Sequence, residues 1–349
     1  MKGRRRTPSL LAALPPSLRR SVTSVAVGIW IGAVGALVLL GEQDAVKRAP
    51  PGRDSEEKQQ GVEYHEAMQY GVPSSANVLV RAGYVAAYDY RTRNPSWVLE
   101  LLTKDALRVQ DEATRAKSAF KPDSATPELF RVHPNQFLKS GYDKGHMAPA
   151  RDMSHSQDAM DESFLMTNIS PQVGAGFNRG YWSRLEGFVR HLANQYDAVY
   201  VVTGPLFLPK KDKQTGEYSV TYPVIGTPPD AIAVPTHFFK VILAEDRRGE
   251  FVTAGFILPN RQIAEKKELR DFQAPITVIE KHAGLLFFDK VSLRLSLFIM
   301  LRTALMVSVC QLRDTSKLDL CKETKCSLAP AYWRAIEGQT SPTNAKTNK

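Results

Sequence analysis

A chain of 349 residues with 43% hydrophobic content is long enough for one large globular domain or two small ones. Its formal charge of +10 is unevenly placed: residues 1–41 hold six basic residues and no acid, so the remainder carries only +4. That balance excludes reading the whole chain as a uniformly basic polyanion binder, and net charge alone is weak support for nucleic acid. Residues 1–20 are Arg-, Ser- and Leu-rich, the pattern of a mitochondrial presequence. Val22 to Leu40 follows without a charge, and its nineteen residues rise to roughly 28 Å as a helix, enough to cross a hydrocarbon core of about 30 Å. Residues 21–41 are therefore expected to be a transmembrane anchor, and residues 42–75, polar and rich in mixed charge, a solvated tether.

Folded structure is expected over residues 76–292. Val78 to Tyr88 and Trp97 to Leu102 read as a β-hairpin across the turn Arg91–Pro95. Asp143-Lys144-Gly145-His146 reads as a short polar turn, and Ser156 to Glu162 as a polar helix. Phe164 to Ile169 reads as a strand, followed by a Gly-rich loop and a helix from Asn178 to about Gln195. At 100° per residue Tyr181, Trp182, Leu185, Phe188, Val189 and Leu192 share one apolar stripe on that helix. Ala198 to Thr203 is an expected buried strand stopped by Gly204-Pro205, and Lys210 to Gly216 an exposed basic loop. His237 to Leu243 and Glu250 to Leu258 are two more strands. Strands outnumber helices and neighbours can pair as hairpins, which predicts an α+β domain with a mainly antiparallel sheet. Residues 293–349 are expected to be a C-terminal helical extension and polar tail: Leu295 to Val309 is apolar but short for a span and reads as a packed helix ahead of an interfacial one, and the tail after Gly338 is polar. Cys310, Cys321 and Cys326 make an odd count, compatible with one disulfide in an oxidising compartment or with free thiols.

The chemistry concentrates between Tyr142 and Arg190. His146 is a candidate base at the end of a polar segment. Asn178 stands at a helix N-terminus, where it serves either as a cap or as a neutral oxygen donor to a hard cation. Glu186 and Arg190 lie one turn apart and, with Asn178, can border one cleft; as an exposed i,i+4 pair they would contribute only about 0.3–0.5 kcal/mol.

The ordered combination Asp-Lys-Gly-His (143–146), Thr-Asn-Ile-x-Pro-Gln (167–172) and Asn-x-Gly-x-Trp-x-x-Leu-Glu (178–186) resembles the DNA/RNA non-specific endonuclease family, the ββα-metal or His-Me finger nucleases, especially its mitochondrial members. The likeness covers roughly residues 62–290. It implies a ββα-metal catalytic motif and hydrolysis of phosphodiester bonds in DNA and RNA to 5′-phosphate products. In that reading His146 is the general base and Asn178 the single protein ligand of Mg²⁺, with Mn²⁺ a substitute. Glu186 holds a metal-bound water, Asn168 orients the site, and Lys144, Arg179 and Arg190 contact nucleic acid. The resemblance further implies a homodimer on the mitochondrial inner membrane, facing the intermembrane space, and roles in nucleic-acid degradation and cell-death DNA fragmentation. Lys144 departs from the arginine usual in this family, losing the planar fork toward phosphate while keeping the charge; Arg115 is a candidate for a further upstream arginine. The departure at Lys144 motivates the alternative, a catalytically weakened, membrane-tethered nucleic-acid-binding protein.

Overall fold

The computed structural model describes residues 65–109, 113–291 and 319–328. The targeting segment, the Val22–Leu40 anchor, the apolar stretch 295–309 and Cys310 lie outside them. Among the described residues no helix is long and apolar enough to cross a membrane.

Twelve strands and four α-helices build the described part. In chain order the strands are β1 (Val78–Val80), β2 (Tyr84–Asp89), β3 (Asn94–Leu102), β4 (Tyr142–His146), β5 (Ile169–Val173) and β6 (Ala198–Leu206). They continue with β7 (Lys210–Lys211), β8 (Tyr218–Ser219), β9 (Val224–Ile225), β10 (Ile232–Ala233), β11 (His237–Glu245) and β12 (Phe251–Pro259). The helices are α1 (Gln157–Ser163), α2 (Ser183–Leu192), α3 (Ile276–Ala283) and α4 (Leu320–Glu323). One six-stranded sheet in the order β1-β2-β3-β6-β11-β12 carries the fold, and every neighbouring pair is antiparallel. The mainly antiparallel α+β expectation holds.

The central strands are apolar at consecutive positions because both faces of the sheet are covered. On one face Val98, Leu102, Val201, Phe238 and Ile242 join Leu185, Phe188, Val189 and Leu192 of α2 in a single core. On the other, Trp97, Leu99, Val202, Phe239 and Val241 pack with Tyr70, Ile279, Phe287 and Phe288. The six stripe residues expected on the long helix are all buried.

Several expectations need correction. The tether ends earlier than residue 75: Glu66–Tyr70 is a short 3₁₀ turn whose Ala67 and Tyr70 are buried in the second core, with Tyr70 Oη donating to Glu245 at 2.8 Å. Gly204-Pro205 does not stop β6, which runs on to Leu206. A Cβ at Gly204 would lie 2.7 Å from the Phe239 ring, so glycine lets that ring cross the strand. β3 pairs with β6 only as far as Thr203, so Pro205 deprives no β3 residue of a donor. Phe164 to Asn168 is not strand: it ends in a 3₁₀ turn, Met166–Asn168, and the strand begins at Ile169. The expected hairpin is β2-β3, and the β-rich run before it breaks at Arg81 to give a second hairpin, β1-β2.

Cys321 and Cys326 are joined by a disulfide. Leu320, Cys321, Cys326 and Leu328 are buried in the first core. Asp319 bridges to Thr253 of β12 and accepts from Gln273 Nε2 at 2.8 Å, while Arg270 donates to the Cys321 carbonyl. Replacing both cysteines by serine is expected to lower unfolding free energy by about 2 kcal/mol, the loop-closure value for so short a ring, seen as a reduced urea midpoint at unchanged slope.

Candidate active site

The hairpin β4-β5 stands apart from the main sheet, with register Tyr142↔Val173, Asp143↔Gln172 and His146↔Ile169. The segment expected to be a turn is thus a strand. Its polar residues reveal nothing by propensity, and the ladder to β5 fixes it. Ser170 Oγ donates to Asn94 Oδ1 at 2.5 Å, and Asn260 ties Val173, Pro171 and Pro235 together. These bonds moor β5 to the body of the protein.

Strand alternation sends Lys144 and His146 to one face of β4 and Asp143 to the other. On the first face the His146 ring is buried between Phe120 and Phe164, at centroid distances of 5.4 and 4.9 Å. Its Nε2 is buried without a hydrogen-bond partner. Burial, then the nearby Arg115 charge, pushes its pKa down to about 3, so the ring is neutral at pH 7. The Lys144 ammonium sits 5.2 Å from the Phe120 centroid and 5.7 Å from that of Phe137, and the Arg115 guanidinium 5.4 Å from that of Phe164. Lys144, expected on phosphate, lies over two aromatic rings in this structure.

On the opposite face Asn178 Nδ2 donates to Asp143 Oδ2 at 2.9 Å, and Arg179 Nη1 reaches both oxygens of the same carboxylate at 2.6 and 2.7 Å. Asn178 is not the cap of a regular helix. It lies in a wide, irregular turn, Gly174–Trp182, in which Ala175, Gly176 and Arg179 leave helical geometry, and α2 starts only at Ser183. Arg179, expected on nucleic acid, is half committed to Asp143 and 64% exposed. A side chain at Gly145 would collide with Gln172, its Cβ only 2.1 Å from Gln172 Oε1, so glycine keeps this face of the hairpin closed against β5.

Asn168 is wholly buried and touches no solvent-facing group. Its Oδ1 accepts from Ala148 N at 2.9 Å, and its Nδ2 donates to the carbonyls of Ala148 and Ser163 at 2.9 and 2.8 Å. Its own carbonyl accepts from Met147 N at 2.9 Å. Asn168 therefore holds the chain beside His146 through backbone contacts.

Glu186 and Arg190 lie one turn apart on α2 and belong to one charged group with Asp152. Arg190 Nη1 pairs with Asp152 Oδ1 at 2.8 Å, so this arginine too has an internal partner. Glu186 is half-buried, and burial pushes its pKa up to about 7 against the pull of Arg190 and Lys240. No hydrogen bond or ion pair among the described residues joins Asn178 directly to His146, Glu186 or Arg190. Sequence reasoning missed Phe120, Phe164, Asp143 and Asp152 as site residues, and Glu100 and Lys240 beneath them. Glu100 and Lys240 had a signal: each is a charge with apolar neighbours on both sides within its strand.

Residues 62–293 match the family described as DNA/RNA non-specific endonuclease. The chain belongs to that family. It is a phosphodiester hydrolase related to Nuclease C1 of Cunninghamella echinulata var. echinulata, with 47% identity over 264 residues covering 75% of this chain and 94% of the relative. A second relative is the mitochondrial nuclease of Saccharomyces cerevisiae, 42% identical over 266 residues and 74% of each chain. Among solved structures, the crystal structure of the EndoG/EndoGI complex, described with the mechanism of EndoG inhibition, aligns with a TM-score of 0.62 at 42% identity. It covers 64% of this chain and 90% of that one.

Whether this endonuclease could hold a cation is a question of donors. Among the described residues no three His, Cys, Asp or Glu side chains converge on one point. Asn178 offers a hard carboxamide oxygen while its Nδ2 is held by Asp143, and one neutral ligand suits a divalent ion such as Mg²⁺ that retains most of its water. The donors fit.

The two perturbed groups act in opposite directions on stability. His146, lowered from 6.5 to about 3, contributes stability present above pH 6.5 and lost as pH falls toward 3. Glu186, raised from 4.5 to about 7, contributes stability present below pH 4.5 and lost as pH rises through 7. Glu186→Gln is expected to abolish that second loss. Across this window the difference between variant and wild type should change by up to about 1.4 kcal/mol per pH unit, read from urea midpoints at each pH.

Proposed function

We propose that this chain is a Mg²⁺-dependent endonuclease that cleaves DNA and RNA without reading sequence, leaving 5′-phosphate ends. The observation that carries the reading is the His146 imidazole, neutral at pH 7 with a buried, unpartnered Nε2, at the end of this chain's Asp-Lys-Gly-His segment. A neutral ring can accept a proton from water, and the negative charge of an arriving phosphate favours the imidazolium, raising the ring toward the range useful for general-base catalysis. Phe120 and Phe164 fix the plane of the ring, and Asn168 fixes the backbone that follows it.

Asn178 would hold the cation. Its Nδ2 is engaged by Asp143, which orients the carboxamide and leaves Oδ1 as the ligand atom, and the Asp143 charge lies beside it. When bound, the ion would stabilise negative charge on the phosphate and on the departing 3′-oxygen, and Mn²⁺ should substitute. Glu186 would order water near the ion, and Lys144, Arg179 and Arg190 would supply positive charge to the sugar–phosphate backbone. Affinity resting on such contacts falls steeply with salt.

The mitochondrial relative and the basic leader with the uncharged apolar stretch that follows it support a protein anchored by Val22–Leu40 in the mitochondrial inner membrane, its nuclease domain in the intermembrane space. There it would degrade organellar nucleic acid as a homodimer and, on release, fragment DNA during cell death. A fragment lacking residues 1–60 is expected to degrade plasmid and RNA with Mg²⁺ and to stop in EDTA. His146→Ala should slow cleavage at least about 10²-fold with an unchanged melting curve; near-normal turnover would remove His146 from the role of base. Asn178→Ala should weaken Mn²⁺ binding measured by water-proton relaxation without substrate.

A further inference from the structure

A groove beside the His146 face of β4 takes no part in the roles above. The 3₁₀ turn Pro134–Phe137 and the loop after it form one wall, and β9 with the loop joining it to β10 forms the other. The space between them is about 590 Å³, within the size range of sites that receive a small organic group. Phe137, Ile225 and Ile232 share one buried cluster, so both walls stand on common packing. Gln136 ties the walls together: its Nε2 donates to the Asp230 carbonyl at 2.7 Å, and its Oε1 accepts from His133 N at 2.8 Å. A Cβ at Gly226 would lie 3.3 Å from Gln136 Nε2 and narrow the opening.

The exposed lining suits a nucleotide. Leu138 is 71% and Val224 50% exposed, one on each wall, and the face of a base laid on them would take both out of water. Lys139 holds a φ of 57°, a left-handed backbone that lysine seldom adopts and that functional sites often contain. The carboxylate in the lining, Asp230, is answered by Arg93 Nη2 at 2.9 Å. That leaves the Lys139 ammonium as the unbalanced charge of the groove, a match for one phosphate. Position favours the same occupant. The Phe137 ring, next in the chain to Leu138, has the Lys144 ammonium 5.7 Å from its centroid, and Lys144 shares the His146 face of β4. Ser140 joins the loop to β4, its Oγ accepting from Tyr142 N at 3.2 Å. Two separate aliphatic side chains beside an ammonium are too small an apolar area for a stable contact between copies of the chain.

We propose that this groove is a subsite for one unpaired nucleotide of the substrate strand, close in sequence to the scissile bond, with its base between Leu138 and Val224 and its phosphate on Lys139. The inference rests on the nuclease reading above. A base enters only after leaving its stack, so the subsite favours single strands and unpaired RNA over intact duplex. Its contacts go to the face of a base and to a phosphate, neither of which distinguishes one sequence from another.

The test uses the full chain in detergent and single-stranded oligothymidylates of two to eight nucleotides, with kcat and KM measured at fixed Mg²⁺. In the wild type kcat/KM is expected to rise once the substrate is long enough to fill the groove. Leu138→Ser, Val224→Ser and Lys139→Gly should each remove most of that rise by increasing KM about fivefold to tenfold, with no loss on the shortest substrate that is cut. Glycine is chosen at 139 because it accepts the left-handed backbone. In EDTA, fluorescence anisotropy of a labelled octanucleotide should show weaker binding by each variant, with a salt slope shallower by about 0.7 in Lys139→Gly alone. A blunt-ended duplex should be bound alike by variants and wild type. Losses equal at every substrate length, no loss at any length, or equal weakening on duplex overturn the proposal. So does a changed sedimentation coefficient in Leu138→Ser or Val224→Ser, which would assign the face to contacts between copies. The three exposed positions lie on two walls, so a variant that does not fold leaves the others to decide. Failure of the nuclease reading would look different: no Mg²⁺-dependent cleavage of any substrate by the wild type, with the anisotropy arm still reporting on the groove.

Discussion

The arrangement of the site depends on one carboxamide. Asn168 binds Ala148 at both its amide and its carbonyl, reaches Ser163 as well, and takes Met147 N on its own backbone. A side chain that satisfies three backbone groups inside a dry core is costly to disturb, because each orphaned group would keep its full desolvation penalty. The residue before this clamp is His146. The imidazole can therefore be surrounded by hydrocarbon and still be held in one place, since the backbone beside it carries the constraint. Phe120 and Phe164 then need only fix the tilt of the ring.

Two different electrostatic solutions lie on the two sides of this chain segment. Around His146 the protein removes water and supplies aromatic faces, which favours the uncharged ring. Beneath α2 it also removes water but supplies ammonium and guanidinium groups, which draw charge back onto carboxylates. The same burial would silence both sites if the second lacked its cations. An irregular turn, Gly174–Trp182, separates them in the chain, and Asn178 is presented from that turn toward Asp143 instead of along a helix axis.

Much of this was legible in the residues alone. The stripe from Tyr181 to Leu192 predicts a buried helix face because a 3.6-residue period leaves few alternatives, and the runs at Ala198, His237 and Phe251 are apolar enough to be strands in any context. What was not legible depends on partners distant in the chain. Tyr142 to His146 has no β-branched residue and becomes a strand only through its ladder to Ile169–Val173. Asn178 reads as a cap until Asp143, 35 residues earlier, is seen to bind it. The roles of Lys144, Arg179 and Arg190 were inferred as if each faced solvent, whereas Phe120, Asp143 and Asp152 engage them within the protein. Charge signs are written in a sequence; counter-charges are assigned by folding.

One of the two outer strands of the six, β12, would ordinarily present unpaired backbone groups to any passing chain. Here Asp319 and Gln273 each pair with it, and the Cys321–Cys326 ring holds the first of these in place. Reduction of that ring would loosen one part of the cover on this border, which is where strand addition would begin.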